Sequence, residues 1–172
     1  MIEKYPFIFS DEPKHRVARH VSYWIFWGVF QGFLYSFVAV KSGYEYFSRL
    51  QSSLVESFIY LIPHIFLSYL LIYFVVPRFL LKQKYLQTVL WVSILFFVTA
   101  AISAILALTL IHWVREAILG QPYVESTEQF GFGLPIFLGL LAGFRGAITI
   151  GGISAAIKLM KHWYVKEQRN LM

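Results

Sequence analysis

Residues 134–157 read LPIFLGLLAGFRGAITIGGISAAI, and this stretch decides the class of the fold. A helix of about 20 predominantly apolar residues crosses the hydrocarbon core of a bilayer. The stretch exceeds that length before it meets Lys158. It therefore predicts a membrane-spanning helix that carries a single charge, Arg145, near its middle.

Small residues recur at every fourth position of this stretch, namely Gly139, Gly143, Ala147, Gly151 and Ala155. Residues with this spacing lie on one helical face, where small side chains let a second backbone approach closely. The ladder therefore predicts a helix-packing face. Its partner is either another helix of the same bundle, with Ala100 and Ala104 of the third span as the natural choice, or the same helix of a second protomer.

Three further apolar runs precede this one, each bounded by charged residues or proline. The chain is 58% hydrophobic and 14% charged, whereas soluble domains average about 45–50% and about 25%, so a soluble globular domain is excluded. We predict an all-α fold, a four-transmembrane-helix bundle over residues 21–157. The spans are expected at about 21–40, 57–76, 88–113 and 134–157, after an N-terminal segment 1–20 and before the start of a cytoplasmic signalling helix at 158–172.

The distribution of Lys and Arg predicts the orientation, because cytoplasmic flanks of membrane helices carry the excess. Eleven of them fall in the N-terminal segment, the second loop and the C-terminal tail. The first and third loops, as predicted, hold three cations and five carboxylates, namely Lys41, Arg49, Arg115, Glu45, Glu56, Glu116, Glu125 and Glu128. Both termini are therefore expected in the cytoplasm. The basicity reflects topology, and no nucleic-acid partner is expected.

Arg145 is costly at the bilayer centre, by at least about 2.5 kcal/mol, so its side chain needs protein, water or an anion. Gln31 and His64 come to a similar depth when residues are counted along the other spans. One hypothesis is a polar midplane cluster of Gln31, neutral His64 and Arg145, which binds a ligand. The alternative is that Arg145 reaches the interface or backbone carbonyls for structural reasons alone.

The fourth helix has no Gly or Pro after Gly152 to stop it. A helix from Leu134 to Met172 is about 58 Å long at 1.5 Å per residue, roughly twice the hydrocarbon thickness. We therefore expect it to project into the cytoplasm as an output stalk.

Sequence signatures of catalysis are lacking: the chain has no P-loop, no dinucleotide fingerprint and no HExxH. Cysteine is absent, and the five histidines are scattered rather than set at metal-ligand spacing. We expect no catalytic residue, no metal site and no cofactor in this chain.

Residues 75–85, VVPRFLLKQKY, and residues 158–168, KLMKHWYVKEQ, together with Arg19-His20 followed by Trp24 and Trp27, resemble the N-terminal membrane input domain of LytS-type bacterial sensor histidine kinases. The resemblance implies a homodimer in the bacterial cytoplasmic membrane whose fourth helix leads into a kinase core. That core would use ATP and Mg²⁺ for autophosphorylation and would serve a response regulator of the LytTR type. We expect it to follow Met172, because its motifs do not occur in this sequence.

The predicted function is thus the membrane-embedded sensory domain of a two-component sensor histidine kinase. Two alternatives stay open: a small anion transporter or channel subunit that uses Arg145, and a structural membrane subunit held together by the small-residue ladder.

Overall fold

The computed structural model describes residues 12–37, 43–119 and 133–170, and every regular element in them is helical. The all-α prediction is confirmed for these residues. The elements are α1 (Pro13–Ser36), α2 (Gly43–Leu70), the π-helical segment π1 (Leu71–Leu80), α3 (Tyr85–Leu108), α4 (Leu110–Leu119), α5 (Gly133–Gly146), the π-helical turn π2 (Ala147–Gly151) and α6 (Gly152–Asn170).

Three helical segments among the described residues are long and apolar enough to cross a membrane: Arg49–Leu80, Tyr85–Leu108 and Gly139–Glu167. The predicted first span is not one of them. Its residues 21–36 lie in α1, where Gly28, Gln31 and Gly32 lower the mean hydropathy. Residues 38–40 lie outside the part of the chain that the structure describes. The bundle of four transmembrane helices therefore stays a prediction.

The second apolar helix is longer than the sequence suggested. Glu45, Arg49 and Glu56, which were expected in an outer loop, lie within α2. Glu56 lies in the middle of α2 and is 4% exposed, so its assignment to the first loop is wrong. The loop interpretation failed because polar residues mark a loop only when they face water, and α2 buries Ser52, Ser53 and Glu56 instead.

A proline lies inside π1, the wider helical segment that follows α2. Pro77 lacks an N–H donor and cannot take part in the regular α-helical ladder. At the end of π1 the backbone bonds span five residues, from Leu81 N–H to the Val76 carbonyl at 3.0 Å and from Lys84 N–H to the Phe79 carbonyl at 2.9 Å. Gln83, at φ 60°, then completes the turn into α3.

Helix α3 ends at Leu108, inside the range predicted for the third span. Thr109 departs from helical geometry, with φ −113° and ψ −78°, and its hydroxyl donates to the Ile105 carbonyl at 2.8 Å. Threonine competes with the helical ladder through such bonds. A separate helix, α4, begins at Leu110.

The chain divides into two compact units, residues 1–61 and 62–172. In the first unit, α1 packs against the first part of α2 through small residues. A Cβ added to Gly28 would overlap the Phe58 ring, and one added to Gly32 would lie 3.0 Å from the Leu54 Cα. The Ser57 hydroxyl lies 2.7 Å from the Gly28 carbonyl, which accepts its hydrogen bond across the interface.

In the second unit, α5 packs closely on α3. A Cβ on Gly143 would lie 2.7 Å from the Ala100 Cα, and one on Gly139 would lie 3.2 Å from that of Ala104. The apolar centre of this unit is formed by side chains from α2, π1, α3 and π2: Leu67, Leu71, Val75, Leu95 and Ala147.

The continuation into α6 runs parallel to α2 and π1. Gly151 lies against Leu67 and Leu71, the Ser154 hydroxyl donates to that of Ser68 at 3.2 Å, and the Lys158 ammonium lies over the Tyr73 ring. Both partners of these contacts advance along the chain in the same direction, so π1 and the start of α6 leave the core at the same end of the unit.

In both units, the distribution of polar and apolar side chains between interior and surface differs from that of a soluble protein. Serine, threonine, histidine and glutamine side chains are buried, whereas large apolar side chains such as Phe66, Phe97 and Ile148 are more than half exposed. Soluble monomers rarely expose apolar patches of this extent. Lipid is the solvent in which this distribution is favourable, because its tails are as apolar as the exposed side chains.

We predict that Gly143→Ala lowers the free energy of unfolding by about 1–3 kcal/mol, the usual cost of overpacking, because the new methyl group meets the α3 backbone. The measurement is SDS-induced unfolding in mixed micelles. Gly152→Ala is the matched control, since a Cβ there meets nothing within 4 Å and alanine favours the helix. Equal stability of the two variants would contradict the close approach of α5 to α3.

Candidate functional site

Helix α3 defines the depth of Arg145. The neighbouring Phe144 ring packs edge-on against Phe97, with 4.9 Å between centroids, and Phe97 lies halfway along α3. Since α3 is one of the three helices long and apolar enough to cross a membrane, Arg145 lies level with the middle of such a helix, as the hypothesis of a midplane cluster requires.

His64 is buried at the same depth, with 4% of its surface exposed. Its Nε2 atom lies 3.4 Å from the Gly143 carbonyl oxygen, so Nε2–H is the donor. A Cβ on Gly146 would overlap the imidazole ring. Gly146 thus leaves a recess on α5 in which the histidine ring lies directly against the helix backbone, within reach of the Gly143 carbonyl.

The helix changes its winding at this recess. Helix α5 ends at Gly146, and π2, in which the backbone bonds span five residues rather than four, begins at Ala147. The Gly143 carbonyl that accepts from His64 therefore lies one turn before the change of winding. Insertion of a side chain into the helical ladder is a recognised cause of such local distortion.

Arg145 lies on a different face from the histidine recess. Gly143, Gly146 and Ala147 are buried, whereas Arg145 and its neighbours Ile148 and Thr149 are exposed. The Thr149 hydroxyl donates to the Arg145 carbonyl at 2.9 Å. The structure thus brings His64 and the Arg145 segment to one depth, with the arginine on the exposed surface of the unit.

Gln31, the third member of the hypothesised cluster, belongs to the first unit, where it is 7% exposed. Its participation in a cluster with His64 and Arg145 stays a prediction. The contacts of Gly28 with Phe58 and of Gly32 with Leu54 place Gln31 and Glu56 at one level of the α1–α2 hairpin.

Sequence reasoning missed Glu56 and a second series of small residues. Gly28, Gly32 and Ser36 recur at every fourth position of α1 and are buried, in the same pattern that drew attention to the fourth span. Trp27 is also buried there, and its indole N–H has no acceptor within the described residues.

The predicted ladder meets two different surfaces of its own unit. Gly139 and Gly143 lie on α3, Ala147 lies in the apolar centre, and Gly151 lies on Leu67 and Leu71, while Ala155 is half-buried. These contacts are all made within the chain. Dimerisation through the ladder stays a prediction.

His20 lies just before the predicted first span and has a perturbed proton affinity. Burial lowers its pKa below the ordinary value of 6.5, and the positive charges of Arg19 and Arg16 lower it further. The imidazole is therefore predominantly neutral at pH 7, and protonating it costs more than in an unfolded chain.

No cluster of three metal-ligating side chains occurs within residues 12–37, 43–119 and 133–170. Comparison with protein-family models, with curated proteins and with solved structures finds no match to this chain.

We predict that His64→Leu lowers the free energy of unfolding by about 0.5–2 kcal/mol, the range of hydrogen bonds between membrane helices, because the Gly143 carbonyl loses its donor. His64→Gln should lose less than half as much, since its amide nitrogen reaches the position of Nε2. Unfolding in mixed micelles measures both. If the glutamine variant is as unstable as the leucine variant, the hydrogen bond to the Gly143 carbonyl does not stabilise the packing of α2 on α5.

Proposed function

We propose that this chain is a membrane-embedded signal-transducing domain whose output element is the helix formed by α5, π2 and α6. One observation carries the proposal: His64, on a neighbouring helix, is buried at the point where the winding of this continuous helix changes. A displacement of α2 at this depth acts directly on the element that leads out of the membrane.

Continuity of the output helix supports this function. The residues that flank π2, Gly146 and Gly152, keep helical backbone angles of φ −62°, ψ −42° and φ −61°, ψ −47°. The helix therefore passes from Gly133 to Asn170 without a break. A continuous helix transmits rotation and translation along its whole length.

The turn at π2 has two possible arrangements of similar geometry, one with π-helical and one with α-helical backbone pairing. A change of pairing from five residues to four removes one residue from the turn, which rotates the following helix by about 100° and moves it by about 1.5 Å. Small shifts become discrete changes when a packed element has two alternative states. In the proposed mechanism, the position of His64 determines which of the two windings is favoured. Helix α6 then transmits the resulting rotation and translation away from the bundle.

The proposal includes α1 as a fourth transmembrane helix with both termini in the cytoplasm. The exposed face of α1 is apolar, with Ile25, Phe26 and Phe33 each exposing more than two fifths of their surface. The excess of Lys and Arg at both termini supports the orientation.

The sensor histidine kinase assignment rests on the resemblance of residues 75–85 and 158–168 to LytS-type input domains. In that setting α6 leads into an ATP- and Mg²⁺-dependent kinase core that serves a LytTR-type response regulator, in the bacterial cytoplasmic membrane. The chain described here supplies the membrane half of that pathway and no catalytic residue of it.

A homodimer is part of the proposal, and the exposed face of the output helix supports it. Thr149, Gly152 and Ala156 are exposed at alternating spacings of three and four residues, as in a left-handed helix pair. Gly152 is exposed, and nothing in its own unit lies within 4 Å of the position of a Cβ, so this face is open to a second helix.

Cysteine cross-linking tests this face, and the natural chain contains no cysteine. Gly152→Cys and Ala156→Cys should form disulfide-linked dimers in membranes under mild oxidation. Ile150→Cys is the control, because Ile150 is fully buried. Equal cross-linking of the control, or none at the exposed positions, contradicts the assigned face.

Signal transmission is testable by joining residues 1–172, in register, to the core of a histidine kinase. We expect His64→Leu to change autophosphorylation at least threefold. Deletion of Ile148 removes the extra residue of π2 while the flanking contacts of Gly143 and Gly151 keep their helical faces. In that background the leucine substitution should have no further effect.

Ile148→Ala is the matched control for this experiment, because it keeps the residue count and the π-helical turn. It should preserve the response to His64→Leu. If the response survives the deletion as well, π2 does not carry the signal, and the proposed mechanism is wrong.

The exposed Arg145 at mid-depth favours a second candidate, an anion-conducting subunit. Chloride flux into proteoliposomes that Arg145→Gln abolishes would support this candidate over the signalling role. We expect no flux above that of empty liposomes.

A further inference from the structure

The end of the second unit at which π1 terminates and α6 emerges is rich in cations. Its members are Arg78, Lys82, Lys84, Lys158 and Lys161, and the parallel packing of α6 on π1 brings them to the same end. No Asp or Glu occurs in residues 62–115 or 129–166. These two ranges therefore contribute cations and no carboxylate to this surface.

Two of these cations are held on aromatic rings of consecutive residues. The Arg78 guanidinium carbon lies 4.9 Å from the centroid of the Phe74 ring, and the Lys158 ammonium lies 5.5 Å from that of Tyr73. Cation–π contacts stabilise a charge from one side and leave its N–H donors available on the other. The guanidinium fork is suited to bidentate recognition of a phosphate.

The rings beneath Arg78 are themselves fixed. Phe74 packs edge-on against Trp91, with 5.2 Å between centroids, and against Phe79, with 5.6 Å. The guanidinium is thus held on a packed aromatic cluster that joins π1 to α3. A preorganised cation binds an anion at a smaller cost in side-chain entropy than a free one.

The surroundings of this surface match the interfacial zone of a bilayer. Tyr73, Tyr85 and Trp163 expose more than half of their surface near the same end, and tyrosine and tryptophan prefer the level of the headgroups. Toward the centre of the membrane, α6 exposes Ile153 and Ile157. An acyl chain therefore has an apolar path that begins at the cations.

We propose that the surface formed by Tyr73, Phe74, Arg78 and Lys158 binds the phosphodiester headgroup of an anionic phospholipid. The headgroup bridges π1 and α6, and an acyl chain lies along the exposed isoleucines. Bound lipid strengthens the docking of α6 on π1. This inference depends on membrane insertion and is independent of the signalling role.

The test compares thermal unfolding of the full chain in nanodiscs of phosphatidylcholine with nanodiscs that contain about 30% phosphatidylglycerol. The anionic lipid should raise the melting temperature of the natural chain by several degrees. Arg78→Gln and Lys158→Gln should each lose at least half of this increase. Inorganic phosphate added to the phosphatidylcholine nanodiscs should have no effect, because it lacks the acyl chains.

Lys166→Gln is the matched control, since it removes one exposed cation from α6 two turns beyond Lys158 and should retain the full increase. An equal loss in this control would mean that general surface charge attracts the lipid, and the proposed site is then wrong. An undiminished increase in Arg78→Gln and Lys158→Gln overturns it too. Stabilisation by inorganic phosphate also overturns it, because the site would then bind the free anion and not the lipid. Arg78→Lys, which keeps the charge without the fork, provides a folded variant with intermediate response should the glutamine variants be unstable.

Discussion

The close approach of α5 to α3 at Gly143 is the constraint on which the second unit depends. The position of a glycine Cβ would be 2.7 Å from the Ala100 backbone, so any side chain here separates the helices. Without a hydrophobic driving force between helices in lipid, this backbone contact and the dispersion energy around it are a main source of their association. The same contact also positions the Gly143 carbonyl against His64.

The small residues that permit packing also create the candidate site. Gly146 provides the space for the His64 ring, and the winding of the helix changes at the next residue. A side chain at Gly146 would exclude the imidazole from the backbone, whereas one at Gly143 would meet α3. In this chain, the same residues therefore hold the helices together and are proposed to transmit a signal. Stability measurements alone do not distinguish the two roles, so variants must also be compared by a signalling readout.

Much of the candidate site could be predicted from local sequence, because depth in a membrane follows from residue count along a helix. His64 and Arg145 are at one depth for this reason. The face on which each side chain lies could not be predicted, since it depends on which helices pack together, and Arg145 is exposed while His64 is buried. Glu56 was misplaced in a loop because a buried carboxylate in a helix has the same local sequence as a solvated one.

By itself, the sequence determined the all-helical class, three segments long and apolar enough to cross a membrane, and the small-residue ladder of the fourth span. These properties follow from hydropathy and helical period, which are local. Only the tertiary structure decided that the ladder divides between α3 and the α2–π1 segment, that π-helical winding occurs around Pro77 and next to the His64 recess, and that α3 ends at Leu108. These features depend on hydrogen bonds and steric contacts, many of them between residues far apart in the chain, which periodicity does not encode.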